Sequence, residues 1–206
     1  MMATLWHKFR RSTTGSVTVE AAFVIPMLIV LMGGGVELSY GFYQWNGANQ
    51  AARHGARLAA TSNPVAADLR SMTGMGGGTK VGDPMPYYSR KCSGETKRCD
   101  SGSFDQRALN AIVFGPDQDM TCAATARKRR GMCDVFGGLD AENIRIDYVG
   151  SGLGRAGFPA DPAPLITVTV TDLEYDFVFL DLILPDSIRK IPSVSASHMG
   201  EDLRSG

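Results

Sequence analysis

Apolar residues change their spacing twice along this chain, and each change marks a different element. From Val17 to Val36 they are nearly continuous, 20 residues with a single charge, Glu20. A helix over this run is about 30 Å long at about 1.5 Å per residue, which is the depth of a bilayer's hydrocarbon core. The run is therefore predicted to span a membrane. Past Glu37 the pattern becomes amphipathic. Leu38, Phe42, Trp45, Ala48, Ala52, Ala56 and Ala59 step by three and four, and Asn46, Gln50, Arg53 and Arg57 step likewise on another face. The same helix is expected to leave the membrane with the first of these faces covered, and to stop at Asn63-Pro64, because the residue before proline avoids the α region. Tyr40, Phe42, Tyr43 and Trp45 cluster at its exit, where aromatic rings favour the interface. Within the span, Pro26 predicts a kink rather than a break. Gly33-Gly34-Gly35 is a second soft point, either a hinge or a place where another helix comes close.

Beyond the helix, residues 71–101 are rich in Gly, Pro, Ser and Lys, and read as a surface loop pinned by a disulfide. Their glycines do not fit the spacing of a phosphate-binding loop. Ser103-Phe104-Asp105-Gln106 resembles a capping box, followed by Ala108, Ala111 and Ile112 at helical spacing and a stop at Gly115-Pro116. The spacing then falls to two. Ile144, Ile146 and Tyr148 alternate with Arg145 and Asp147; Ile166, Val168 and Val170 alternate with Thr167, Thr169 and Thr171; Val194 and Ala196 alternate with serines as an edge strand. Phe177 to Leu184 is apolar but too short to span a bilayer, so it packs on the sheet or lies against the membrane. The last residues, Gly200 to Gly206, read as a solvated tail.

The chain begins on a basic segment, with His7, Lys8, Arg10 and Arg11 and no acid before Glu20, which predicts that this end stays cytoplasmic while the rest crosses. Its 206 residues, less the span, suffice for about one domain with a modest core. Lys plus Arg and Asp plus Glu number 21 each, so no global field selects nucleic acid or an acidic partner. Cys92, Cys99, Cys122 and Cys133 all lie beyond the span, in a region expected to meet oxidising conditions, and their even number reads as two disulfides. Three connectivities are possible. Cys92 with Cys99 and Cys122 with Cys133 is favoured, because each closes a short local loop. A zinc site would need Cys-x-x-Cys or interleaved histidines, which these positions lack.

A secretory signal peptide is cut after its apolar core. Here the small residue comes before it: Gly15, then four residues, then Glu20 at the head of the helix. Thr13-Thr14-Gly15 is expected to be extended and open to a protease at the cytoplasmic face. That arrangement resembles the type IV prepilin processing site, with Ser16 as the mature first residue. Val19-Glu20-Ala21-Ala22-Phe23-Val24-Ile25-Pro26-Met27-Leu28, Gly35-Val36-Glu37, Phe42-Tyr43 and Ala51-Ala52-Arg53-His54-Gly55-Ala56-Arg57 together resemble the TadE family of minor pilins, or pseudopilins, from tight-adherence (Tad) pilus systems. Two departures are Leu38-Ser39-Tyr40, where the family often has Gly-Arg, and Ala21, where many members carry an aromatic; neither touches the processing site. The resemblance implies cleavage after Gly15 by prepilin peptidase and a role for Glu20 and Glu37 in assembly. It implies as partners the inner membrane, other Tad pilins and minor pseudopilins, and the assembly platform. It also implies a single pass with a periplasmic C-terminal domain.

The expected fold is α+β. A leader over 1–15 precedes a long transmembrane and pilin-like helix over 16–62. A head domain over 63–206 carries a short helix and an antiparallel sheet of about three strands, stapled by disulfides. No cofactor or metal is expected. Asp117 and Asp119, with Asp172, Glu174 and Asp176, offer oxygens for calcium, but no Asp-x-Asp-x-Asp-Gly loop is present. Arg127-Lys128-Arg129-Arg130 is the one dense basic run outside the leader, and a solvated loop is favoured over a contact with nucleic acid. His7, His54 and His198 are scattered, and no nucleophile-base spacing can be argued, so the chain is not expected to be an enzyme. The expected function is that of a non-enzymatic minor pilin taking part in assembly of a Tad-type pilus for surface adherence. The alternative is a signal-anchored periplasmic binding module, which would keep its anchor uncleaved and have a ligand pocket.

Overall fold

The computed structural model describes residues 13–116, 120, 122, 130–157, 162–174, 177, 190 and 192–200. A single helix, α1 (Thr13–Ala60), runs 48 residues with Pro26 inside it. Its amino-terminal half is uncovered: the most apolar 18-residue window has a mean hydropathy of 2.1, and none of it is buried inside the protein. Thr13 to Gly15, expected to be extended, are helical. Neither threonine nor a lone glycine stops a helix that is already propagating, because each added residue gains a hydrogen bond without a new nucleus. At the other end Thr61 closes the last turn, its N–H donating to the Leu58 carbonyl and its hydroxyl to the Arg57 carbonyl, both 3.2 Å.

The carboxyl-terminal half of α1 is a wall of the head. Its covered stripe is Glu37, Gly41, Gln44, Ala48, Ala51, Ala52, Gly55, Ala56, Ala59 and Ala60. This corrects one expectation: Leu38, Phe42 and Trp45 lie outside the stripe and stay 60%, 62% and 38% exposed. Close approach decides the matter. A Cβ on Gly47 would meet the Phe136 ring at 2.8 Å, and one on Gly55 would collide with the Met132 side chain. The head has come so near that small residues fit against it and bulky ones do not. Asn46, Gln50, Arg53 and Arg57 are exposed, as the spacing implies.

The head carries one antiparallel sheet of β1 (Ser89–Ser93), β2 (Arg98–Cys99), β3 (Ile144–Gly150), β4 (Pro164–Val170) and β5 (Val194–Met199), in the order β2-β1-β3-β4-β5. The last three are the strands that alternation predicts, with β5 at an edge. Two more replace part of the expected loop over 71–101. Ser89–Ser93 has no apolar alternation, and only Cys92 in it is buried, so nothing local marks it as a strand. Its pairing is supplied from outside, by β3, with Cys92 opposite Ile146, and by the bond from Cys92 to Cys99 on β2.

Side-chain alternation divides the sheet by face. Ile144, Ile146, Tyr148, Ile166, Val168, Val170 and Val194 join the alanines of α1 in the core, and α1 packs on β4 and β5. Lys91, Asp147, Thr167 and Ser197 form one cross-strand row on the other face. Helix α2 (Gln106–Val113) adds Leu109, Ile112 and Val113 to the core and is capped by Asp105, whose carboxylate accepts from the Arg107 and Ala108 N–H groups. Ser103 is therefore not the cap. Its carbonyl is engaged by Ala67 N–H, and the next residue, Phe104, bridges to Ala66, which holds both in extended backbone. Gly115, at φ 94°, follows the last turn in the left-handed conformation that ends a helix cheaply only with glycine.

The strand-like stretch around Val65 ties these parts together. Val65 N–H donates to the buried Tyr148 hydroxyl at 3.0 Å, its carbonyl accepts from Asp105 N–H, and Arg70 reaches the Asp105 carboxylate at 2.5 Å. Burial pushes the Asp105 carboxyl up. The Ala108 N–H and the Arg70 guanidinium outweigh it and hold the group below the ordinary carboxylate range. A depressed folded value means that this stabilisation is present above the unfolded value of about 3.9 and is lost as pH falls through the folded one. Denaturant melts of the full chain in detergent should therefore show an acid limb below about pH 4 that is shallower in Asp105→Asn. Asparagine keeps the cap but loses the ion pair with Arg70, so about 0.5 to 1 kcal/mol should be missing at pH 7. An acid limb identical to wild type would show that Asp105 is not its source.

Candidate functional site

The residues singled out from the sequence fall into three places. Gly15 and Ser16 lie in the first turn of α1, and Glu20 follows about one turn later, exposed on the uncovered apolar half. Glu37 lies about 26 Å further along. It is 5% exposed, on the stripe that faces the head. The two glutamates are thus not one site: the first faces whatever surrounds the span, the second the chain's own head.

The third place is the pair of disulfides. Cys92 is bonded to Cys99 across the β1–β2 register, and Cys122 to Cys133 beside the end of α2. Met132 and Cys133 donate their N–H groups to the Ile112 and Val113 carbonyls, so the second bridge is anchored on that helix. A Cβ on Gly131 would run into the same backbone at Val113 and Phe114. The basic run ends at Arg130, whose carbonyl accepts from His54 Nε2 at 2.9 Å, bringing that loop onto α1. Arg127, Lys128 and Arg129 lie outside the described residues, as do His7, Asp117, Asp119, Asp176 and most of the apolar run after Phe177.

The remaining candidates are engaged locally. Asp172 pairs with Lys190 at 3.4 Å, and His198 on β5 bonds the neighbouring Met199 carbonyl. No group of three metal-binding side chains is found among the described residues. On the outer sheet face burial pushes the Asp147 carboxyl up, against the pull of Lys91 and Arg145.

A groove of about 450 Å³ opens where α1 meets the head, lined by Tyr40, Tyr43, Gln44, Phe136, Asp172 and Glu174 among others. Tyr40 and Tyr43 stack with ring centroids 6.3 Å apart. The sequence pattern places these tyrosines at the membrane interface and does not single out Gln44. The available signal is a polar residue seven after Glu37, on what proves to be a stripe of small residues.

The uncovered apolar helix, the exposed acid near its start and the small-residue stripe beyond it frame the comparison with known proteins. Residues 15–57 match the family model described as TadE-like protein. The match covers less than half of the chain and coincides with α1 from its first turn to Arg57. This TadE-like helix implies a pilin-like protein associated with a Tad pilus, with one apolar helix able to serve as a single-pass anchor. Comparison with curated proteins and with solved structures finds no match to the chain. The character of the head therefore rests on its own geometry. Non-reducing peptide mapping of the protein should link Cys92 to Cys99 and Cys122 to Cys133; any crossed pairing, or four free thiols, would contradict the arrangement.

Proposed function

We propose that the chain is a non-enzymatic minor pilin, or pseudopilin, that prepilin peptidase processes after Gly15 and that takes part in assembling a Tad-type pilus for surface adherence. In this reading the span sits in the bacterial inner membrane with the amino terminus cytoplasmic and the head periplasmic, next to other Tad pilins and the assembly platform. The supporting observation is α1 itself. One unbroken helix is bare and apolar in its first half, packed against the head in its second, and TadE-like over nearly its whole length. A subunit built to lie beside other helices needs such an uncovered half, whereas a soluble head needs none.

Processing is the first test. Glycine offers a tight protease cleft no side chain, so intact-mass spectrometry of membranes should find the wild-type chain beginning at Ser16 and Gly15→Leu retaining its basic leader. A mature wild type that keeps residues 1–15 overturns the reading.

Glu20 supplies the second. An acid inside the span costs on the order of 2.5 to 3.5 kcal/mol by insertion scales unless it is paired or protonated. Cleavage after Gly15 creates an amine on Ser16 at nearly the same depth, and the amine of a neighbouring subunit would neutralise Glu20 and set the stagger between helices. Glu20→Ala should then insert and be cleaved, yet lose crosslinking to partner pilins in membranes. Wild-type crosslinking would mean that Glu20 merely reaches to the cytoplasmic surface, about one turn away.

A further inference from the structure

We propose that Arg53 and Arg57 of one copy of the chain dock their guanidinium groups on Tyr40, Tyr43, Asp172 and Glu174 of a second copy, which stands about 20 Å further from the cytoplasm along the helix axis. The inference rests on the pilus-assembly reading of α1 and goes beyond it, to a second copy as the partner and to one offset between the two.

Three observations carry it. The first is a pair of unanswered cations. Arg53 and Arg57 are exposed one turn apart on α1, and among the described residues neither guanidinium has a hydrogen bond or an ion pair. They lie about 26 and 32 Å beyond Val36, out of reach of lipid phosphate, so the anion that pairs with them does not come from the bilayer. The second is opposite charge in an accessible groove. Asp172 and Glu174 line it and are exposed, and the stacked rings of Tyr40 and Tyr43 are 48% and 72% exposed. Lys190 pairs with Asp172, while no ion pair reaches Glu174 among the described residues. Carboxylates beside aromatic faces suit arginine, whose flat guanidinium stacks on a ring while its N–H groups reach an acid. The third is register. Tyr40 precedes Arg53, and Tyr43 precedes Arg57, by nearly the same number of residues, so one offset of about 20 Å brings both arginines level with both tyrosines. The two surfaces are different patches of one chain, and such a heterologous contact repeats without closing, as a filament requires. Two copies anchored at one depth in a bilayer cannot make it. The contact therefore forms only after one copy has been raised, and it belongs to a neighbour other than the one beside Glu20, whose offset is about 6 Å.

The offset and the charges are both open to test. Arg57→Lys keeps the charge and supplies an amine that a zero-length carbodiimide couples only to a carboxylate in contact with it. In cells that make the complete pilus, the dimer band of this variant should yield a peptide pair joining position 57 to Asp172 or Glu174. Cells that lack the assembly platform should yield about tenfold less, because no copy is raised. Charge reversal supplies the second arm. Arg57→Glu and Glu174→Arg should each cut the capture of an untagged copy by a tagged one about tenfold, and the two reversals together should restore it. Both positions are exposed, and the Cys92–Cys99 link mapped in the same digests reports that each variant has folded. Adducts confined to single chains or to another pilin, equal adduct without the platform, or no rescue by the double reversal overturns the proposal. Intact mass of the same samples separates this contact from the assembly reading. A chain that begins at Ser16 yet forms no adduct sinks the contact alone, whereas one that keeps residues 1–15 sinks the assembly reading as well.

Discussion

A helix whose first half has no protein around it and whose second half walls a core must serve two surroundings in one register. The first half of α1 is apolar on nearly every side, so the bilayer leaves its rotation about its own axis almost free. The head removes that freedom. Ala48, Ala51, Ala52, Ala56 and Ala59 face the core shared with β4 and β5, and at Gly47 and Gly55 the Phe136 and Met132 side chains come too close for a larger residue. A continuous helix transmits rotation along its hydrogen-bonded backbone, and the rise from Ala52 back to Glu20 is about 48 Å at about 1.5 Å per residue. Packing in the head therefore sets the direction of an acid that the head never touches.

How much of this could be read from the sequence depends on whether the cause of each element is local. The span, its length and the strands β3, β4 and β5 follow from runs and alternations a few residues long, and these are legible. The strands β1 and β2 are not, because their pairing depends on β3, which is more than 40 residues away, and on a covalent bond. The N-cap of α2 lies two residues from where the capping-box pattern puts it, for a related reason. Ser103 and Asp105 are both good caps in isolation, and what decides between them is that the backbone at 103–104 is held extended by Ala66 and Ala67.

The same distinction separates the two kinds of site. Gly15, Ser16 and Glu20 form a local pattern beside a hydrophobic run, so a sequence displays it in full. The groove joins Tyr40 and Gln44 on α1 to Phe136 and to Asp172 and Glu174 after β4, and it exists only once the sheet has folded against the helix. The covered face of α1 is misread when apolar bulk serves as the mark of burial. Where two backbones approach closely the mark is smallness, and the bulky residues are left outside.

Those bulky residues constrain what surrounds the helix. Leu38, Phe42 and Trp45 stand about 3, 9 and 13 Å beyond Val36, while the headgroup layer is only about 5 to 7 Å deep on each side. Lipid can cover Leu38 and part of Phe42 but not Trp45, and the head covers none of the three well. On the proposed reading a neighbouring pilin helix would lie along this side, outside the membrane, as a continuation of the contact that Glu20 begins within it. The two halves of α1 would then meet the same partner through one face, because the small-residue stripe has already committed the other face to the head.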